Sequence, residues 1–567
     1  MLSITGAALL SGLMSLSEAQ WQHHGPPNGP SHGRPGPQIL KDIDTISLYW
    51  GQVSPYRDNS PDAFGIDYTG LPDGCQIEQA HTLQRHSQRF PTGYFDDGTN
   101  DERLAEKVSN FTSANPGAKF SGPLAFLNSY RYNLGASYLT GLGASTEFMS
   151  GVQFWNRYGR ILYNASEEQL YYEPQYANGT ARVKPVLRTT GQSRIENSQI
   201  SWSLGFFGPS FQEVPDPTLA AFGNGSWFDV VIIPEGGTEN NTLAAYDSCF
   251  ADFVEGIGDI GDIDAFYVYK DIYLQDATKR LQRYVPDGFN LTTNDTYAMQ
   301  SLCAYETGYT SASSFCTLFT LDEWAGFESS LDIAYYYDYG YGNPTGRAQG
   351  VGYVQELLAR LTNQYITSSN SSVNSTLTDN PDTFPLGRPF YADFSHDDII
   401  ISALAAMSVD YFKDPPSLSD YPPDPSRKFN LRKLTPFGAR MITEVIGCAD
   451  PNPAPVEEDR VYYYPEQYGY DASNAPYKFV RMRLNHGIVP LDSIRGGYCK
   501  GRADGLCALE DFLESQWEAE KLANYDFSCF ANYTVVDVES GRDFDGTVNT
   551  TSHGIVVYPG NLTADDF

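Results

Sequence analysis

LQRHSQRFPT, Leu83 to Thr92, places Arg85, His86 and Arg89 in one short run that contains no acid. The chain around it is strongly acidic, with 70 Asp and Glu against 37 Lys and Arg and a net charge of −33 over 567 residues. A basic cluster in such a chain either neutralises nearby acids or holds an anionic ligand. The residues leading into it, CQIEQAHTLQRH, read as a buried strand, and Pro91 prevents its simple extension. In open α/β sheets ligands gather at the carboxyl ends of strands, so the position favours the ligand reading.

Working outward, NDERLAEKVSNF has helical spacing with Asn100 as a candidate cap, and LGASTEFMSGVQFWNRYGRIL also reads as helix. VKPVLRTT predicts a short strand, SRIENSQISWSLGFF a helix after it, and WFDVVIIPEG another strand. This alternation predicts an α/β sheet. From about Asn241 to Gly350 the pattern turns helical, in TLAAYDSCFADFVE, DATKRLQRYV and FTLDEWAGFESSLDIAYYY. AQGVGYVQELLARLTNQYI predicts a long helix leading back to the sheet, and RPFYADFSHDDIIISALAAMSVD a strand followed by a helix. The expected organisation is a signal peptide at 1–19, a Pro/Gly-rich leader at 20–38, α/β parts at 39–240 and 351–567, and an inserted helical cap at 241–350.

The first residues, MLSITGAALLSGLMSLSEAQ, are apolar over too short a run to span a membrane, and Ala19 suits signal peptidase cleavage. His23, His24 and His32 fall in the leader and read as solvated. The eight cysteines, Cys75, Cys249, Cys303, Cys316, Cys448, Cys499, Cys507 and Cys529, lack C-x-x-C spacing and favour disulfides over zinc. Glycosylation sequons stand at Asn110, Asn164, Asn178, Asn224, Asn240, Asn290, Asn294, Asn370, Asn374, Asn532, Asn549 and Asn561. Together these predict a secreted glycoprotein, extracellular or held in a cell wall. The acidic surface repels nucleic acid and anionic membranes, so neither is an expected partner.

A second chemical motif, Ser395-His396-Asp397, follows the predicted strand FYADF and precedes the apolar run IIISALAAM. Alone, a His-Asp pair is often a helix cap. Beside Arg85-His86-Ser87-Gln88-Arg89-Phe90-Pro91 it resembles the histidine acid phosphatase family, in particular its fungal phytase and acid phosphatase branch. The family's hallmark is Arg-His-Gly-x-Arg-x-Pro with a later His-Asp; Ser87 stands here for the glycine. NNTLAAYDSC, FCTLFTLDEW, GNPTGRAQGVGYVQELLARLT, TPFGARM and GYCKGRADGLCALEDFLES extend the resemblance over most of the chain.

The resemblance implies a phosphoglycerate-mutase-like (histidine phosphatase) fold, α/β with a central sheet flanked by helices and an inserted, mostly helical cap domain. It implies a secreted acid phosphatase acting on phosphate monoesters, phytate among them, without metal or cofactor. His86 would be the nucleophile that becomes phosphohistidine, and Asp397 would protonate the leaving oxygen. Arg85, Arg89 and Arg194 would bind the phosphate, with His396 as a further donor. It also implies the pairs Cys75–Cys448, Cys249–Cys529, Cys303–Cys316 and Cys499–Cys507. Guanidinium groups suit these roles because they match phosphate oxygens bidentately and keep their charge. Arginines beside His86 would lower its pKa and keep it nucleophilic in acid. Ser87 is the smallest polar substitute for the glycine, and activity is expected to survive it.

Substrate choice is less determined by the sequence. LDIAYYYDYGYGNP lacks the lysines expected of a phytate specialist and offers Asp332 and Asp338, which tilts towards broad specificity. Asp96, Asp97 and Glu323 are candidates for the entrance or for plain surface acids. Arg188 either borders the pocket or pairs with an acid, and Tyr335 to Tyr337 read as packing. His81 reads as a packed or half-exposed residue, His486 as a turn residue and His553 as solvated. The alternatives are a dedicated phytase, acting on myo-inositol hexakisphosphate, and a cell-wall glycoprotein of the same fold with weakened catalysis. Oligomeric state is left open, a homo-oligomer included.

Overall fold

A computed structural model describes residues 38–67, 70–93, 97–208, 227–236, 239–456, 465–535, 544–548, 554–563 and 566. The signal segment, the leader histidines, Asp96, His553, Asn224 and Asn549 lie outside the described residues.

The strand read from the opening stretch is β1, Cys75–Arg85, and it is central. On one side it pairs parallel with β4, Phe390–Ser395, and on the other antiparallel with β5, Arg440–Cys448. β2, Val186–Thr190, and β3, Asp229–Ile233, extend the parallel half in the order β3-β2-β4-β1. β6, Tyr477–Leu484, continues the antiparallel half beyond β5 and carries two short edge strands, Gly487–Ile488 and Cys507–Ala508. Every residue of β4 and β5 is buried, as expected where helices cover both faces of a sheet.

Two helices flank the parallel half closely. Gly141–Phe154 and Ser193–Phe207 touch through glycine. A Cβ on Gly151 would lie 2.0 Å from the Trp202 carbonyl oxygen, and one on Gly205 would lie 2.0 Å from that of Phe148. Only glycine admits this approach. The contact seats the helix that carries Arg194.

Between β3 and β4 the described chain adds no strand to the sheet. Thr293–Thr310 and Leu321–Tyr339 each begin with a capping box, Thr292 with Asp295 and Thr320 with Glu323. Gly346–Thr362 crosses the boundary expected at 350 and packs on Asp397–Ala406. The helix expected over TLAAYDSCFADFVE is instead two short 3-10 turns, Ala245–Ser248 and Phe250–Phe253, on either side of Cys249. Asn100 is not a cap either: the helix Thr99–Ala114 starts after Gly98, which sits at φ 101°.

Four disulfides join Cys75 to Cys448, Cys249 to Cys529, Cys303 to Cys316 and Cys499 to Cys507. The first links partners directly opposite across β1 and β5. No helix among the described residues is long and apolar enough to cross a membrane.

Glu147, on the helix Gly141–Phe154, is buried against Gln84 of β1, and burial pushes its carboxyl up to about 8. In the unfolded chain a glutamate loses its proton near pH 4.5, whereas here the folded state keeps it. Stability from this group is therefore full below about pH 4.5 and is lost as pH rises towards 8. Glu147→Gln removes that dependence. In thermal melts the variant's Tm is expected to gain steadily on the wild type from pH 5 to pH 8. A constant offset across that range would contradict the assignment.

Candidate active site

Four parallel strands end at one rim. β1 ends in Arg85 and hands over to His86. β2 leads into the helix Ser193–Phe207, with Arg194 in its first turn. Glu235 follows β3, and His396 follows β4 as the N-cap of Asp397–Ala406. His86, Arg89, Arg194, His396 and Asp397 line one cavity of about 630 Å³. Arg85 stands behind them, fully buried, with Nη2 2.8 Å from Asp397 Oδ2. Residues from well-separated parts of the chain thus meet in one cleft because the sheet places their strand ends side by side.

His86 Nδ1 lies 2.9 Å from the Ser87 carbonyl oxygen, which only accepts, so Nδ1 carries the proton. Nε2 is left with a free lone pair, the form a nucleophile needs. Burial holds the His86 pKa well below the ordinary histidine value, with the charges of Arg194, Arg85 and Arg89 next in weight. The arginines therefore act as expected from sequence, but desolvation is the larger cause.

Arg85 and Arg89 are anchored by oxygen acceptors, whereas Arg194 rests on the His396 ring. Arg85 Nη1 donates to the Thr435 carbonyl at 2.7 Å and to that of Gln52, and its guanidinium lies 4.6 Å from the Phe437 ring centre. Arg89 Nη1 sits 2.8 Å from Asp97 Oδ2. Arg194 Nη2 lies 3.5 Å from His396 Nδ1. The Nε atoms of Arg85, Arg89 and Arg194 are buried without a hydrogen-bond acceptor among the described residues, while Arg85 Nη2 is held by its ion pair with Asp397. Leaving one such donor unsatisfied costs about 1–3 kcal/mol. Arg89 and Arg194 on the cavity wall, with Arg85 buried behind it, make a positively charged cradle suited to an oxyanion.

His396 was expected as a phosphate donor. Its ring is shared instead between Glu235, whose Oε1 lies 2.9 Å from Nε2, and Arg194 at Nδ1. In the neutral tautomer Nε2–H donates to Glu235 and Nδ1 accepts from Arg194, so the ring orients the arginine. Tyr246 Oη is also 3.3 Å from Nε2. Glu235 and Tyr246 are absent from the sequence reading, although Glu235 follows a predicted strand and the strand-end rule applied to His86 points to it as well.

Ser87 is fully buried and does not line the cavity; its hydroxyl bonds to Gln88. Its φ is not positive, so a side chain is tolerated there without backbone strain.

The rest of the cavity lining is rich in acids. Asp247, Asp252, Asp259, Asp262, Asp338 and Asp398 all line the cavity. Burial raises Asp247 to about 6, Asp262 to about 7 and Asp252 to about 8, and like-charged neighbours add to each shift. Burial, then Asp397, pushes Asp398 well above the usual carboxyl range. No lysine among the described residues lines the cavity.

Of the remaining candidates, Asp97 lines the cavity but is tied to Arg89. Glu323 is not at the entrance: it caps its helix and pairs with Arg280. Asp332 is buried on Arg427, away from the cavity, whereas Asp338 lines it. Arg188 does not border the pocket: it pairs with Asp393 and Glu356 at 2.8 and 2.7 Å. Tyr335 lines the cavity, while Tyr336 and Tyr337 pack in the core. His81 is buried and stacks on Tyr391, and His486 takes a left-handed turn at φ 79°.

Three comparisons bear on this geometry. The family model described as histidine phosphatase superfamily (branch 2) matches residues 76–485. A Phytase A of Aspergillus oryzae is 30% identical over 486 residues, covering 83% of this chain and 88% of its own. A Phytase A of Aspergillus awamori is 32% identical over 480 residues, covering 82% and 87%. Among solved structures, the phytase from D. castellii superposes with a TM-score of 0.61 at 21% identity, over 85% of this chain and 87% of that one, and shares its fold.

Proposed function

The chain belongs to the histidine phosphatase superfamily (branch 2), and on that premise we propose that it cleaves phosphate monoesters through a phosphohistidine on His86. Its class is phosphoric monoester hydrolase. The observation that carries the mechanism is the free Nε2 of His86 in a cavity that Arg89, Arg194 and Asp397 also line.

In the first step Nε2 attacks phosphorus and the bond from phosphorus to the ester oxygen breaks. The departing alkoxide takes a proton from Asp397, which faces the cavity at the head of its helix. Arg89 and Arg194 on the cavity wall spread the charge on the equatorial oxygens, with Arg85 adding its positive charge from behind, the main task in phosphoryl transfer. In the second step water attacks phosphorus, Asp397 takes up the water's proton, and phosphate leaves neutral His86. The bond from Nδ1–H to the Ser87 carbonyl holds the same tautomer through both steps. Glu235 and His396 position Arg194.

Small phosphate monoesters fit this site, and the relatives' name, Phytase A, supports phytate as a further substrate. The acidic wall makes the balance depend on pH. Asp247, Asp262 and Asp252 gain charge between about pH 6 and 8 and then repel a polyanion more than a monoester. The ratio of kcat/KM on phytate to that on a small aryl phosphate is expected to fall at least tenfold from pH 4.5 to pH 7. Steady-state assays on both substrates measure it, and a flat ratio would remove the wall from the account.

Secretion is part of the same proposal. Four disulfides support it, as do sequon asparagines exposed at Asn110, Asn164, Asn178, Asn240, Asn290, Asn294, Asn370 and Asn561.

A further inference from the structure

A second cavity, of about 200 Å³, lies between the segment Ser47–Ala63 and the pair Arg432–Lys433. Its lining is cationic in a chain of net charge −33. Arg57, Arg432 and Lys433 face it together with the hydroxyls of Ser47, Ser54 and Ser60. Most acids nearby are already engaged. Asp58 accepts from Tyr56 at 2.7 Å and is bridged by Arg157, and Glu328 is shared by Arg427 at 2.6 Å and Arg432 at 3.3 Å. Asp44 reaches Arg57 only at 3.6 Å, from a carboxylate whose side chain is 85% exposed.

Two groups in the cavity have no partner among the described residues. Ser54 is 2% exposed and its hydroxyl is buried without a hydrogen bond. The Lys433 ammonium makes no hydrogen bond or ion pair, and burial and Arg432 together lower its pKa. The walls are pinned: Asn59 and Asn485 both donate to the Lys433 carbonyl, at 2.8 and 2.9 Å. Clustered cations beside a buried, unsatisfied hydroxyl are the chemistry that recognises a tetrahedral oxyanion.

We infer that this cavity is a second anion site, distinct from the His86 cradle, and that it takes free inorganic phosphate. The volume holds a small oxyanion with a few waters and not an inositol polyphosphate. Phosphate is the anion that the active site itself releases; the choice of ligand, unlike the site, rests on the phosphatase reading. The segments that line the second cavity run on into those that hold Arg85. The Gln52 and Thr435 carbonyls hold Arg85, the Ser54 carbonyl accepts from the Phe437 amide at 3.0 Å, and the Phe437 ring lies against Arg85. An anion beside Ser54 and Lys433 therefore bears on the segments that hold the catalytic arginine.

The test is equilibrium titration of the full chain with inorganic phosphate at pH 5, joined to a phosphate-soaked crystal. Two bound phosphates are expected, one at His86 and one touching Lys433, Arg432 and Ser54. The double variant Arg432→Gln, Lys433→Gln is expected to bind one phosphate, with affinity at the lost site down tenfold or more. Its kcat/KM on an aryl phosphate should stay within about twofold of wild type, which also reports that it folds. A single site in the wild type overturns the inference, as does second-site binding seen only at crystal concentration. Two sites persisting in a folded double variant would overturn it as well. Binding rather than turnover is read, so failure here leaves the phosphohistidine mechanism standing.

Discussion

Replacing His86 by alanine lowers kcat on an aryl phosphate by on the order of 10⁴-fold or more, while the protein still folds and still binds phosphate. The reason lies in the division of labour at the site. Nε2 is the free nucleophilic nitrogen, because Nδ1 is committed to the Ser87 carbonyl. His396 does not substitute for it, since Glu235 and Arg194 hold both of its ring nitrogens. The three arginines that bind the anion remain in the variant, so KM changes far less than kcat. Steady-state kinetics near pH 5, with a thermal melt to establish folding, check this. A folded variant with activity within tenfold of wild type would remove His86 from the reaction.

The second large effect is at Arg194. Unlike Arg85, it has no carbonyl or carboxylate anchor among the described residues; its neighbour is the His396 ring. Its removal therefore deletes transition-state charge stabilisation with little structural damage. Arg194→Ala is expected to lower kcat/KM by about 10²–10³-fold, the usual cost of one preorganised donor at developing charge. Arg194→Lys is expected to recover only a small part of that loss, because an ammonium lacks the planar fork that grips two phosphate oxygens. Full rescue by lysine would mean that only net charge matters at this position.

The active-site motif was legible in the sequence for a physical reason. β1 and the helix Ser193–Phe207 are long, regular segments with clear apolar patterns, and the Arg-His cluster is rare in so acidic a chain. The antiparallel half was not legible. β6, YKFVRMRL, carries Arg481 and Arg483, which look like surface residues in sequence but are buried on Glu444 of β5. Only the tertiary pairing makes those charges compatible with a core strand. The run around Cys249 has apolar residues at helical spacing, yet its disulfide to Cys529 ties it into short turns. Arg188 was ambiguous because both of its partners, Asp393 and Glu356, come from distant segments. Apart from Asp97, Asp338 and Asp397, the acids of the cavity lining were hidden for the same reason. Individually they are ordinary acids, and they become a charged surface only when loops after several strands and helices meet above one cavity.

The central claim is that one imidazole carries the phosphoryl group between the two half-reactions. The most direct test mixes enzyme with ³²P-labelled aryl phosphate and quenches it within milliseconds in alkaline denaturant, because a P–N bond hydrolyses in acid. Peptide mapping then locates the label. The account predicts label on the peptide containing His86, formed at a rate at least equal to kcat and absent from His86→Ala. Label on any other residue, or rapid turnover with no labelled enzyme while product is burst-released, would contradict it.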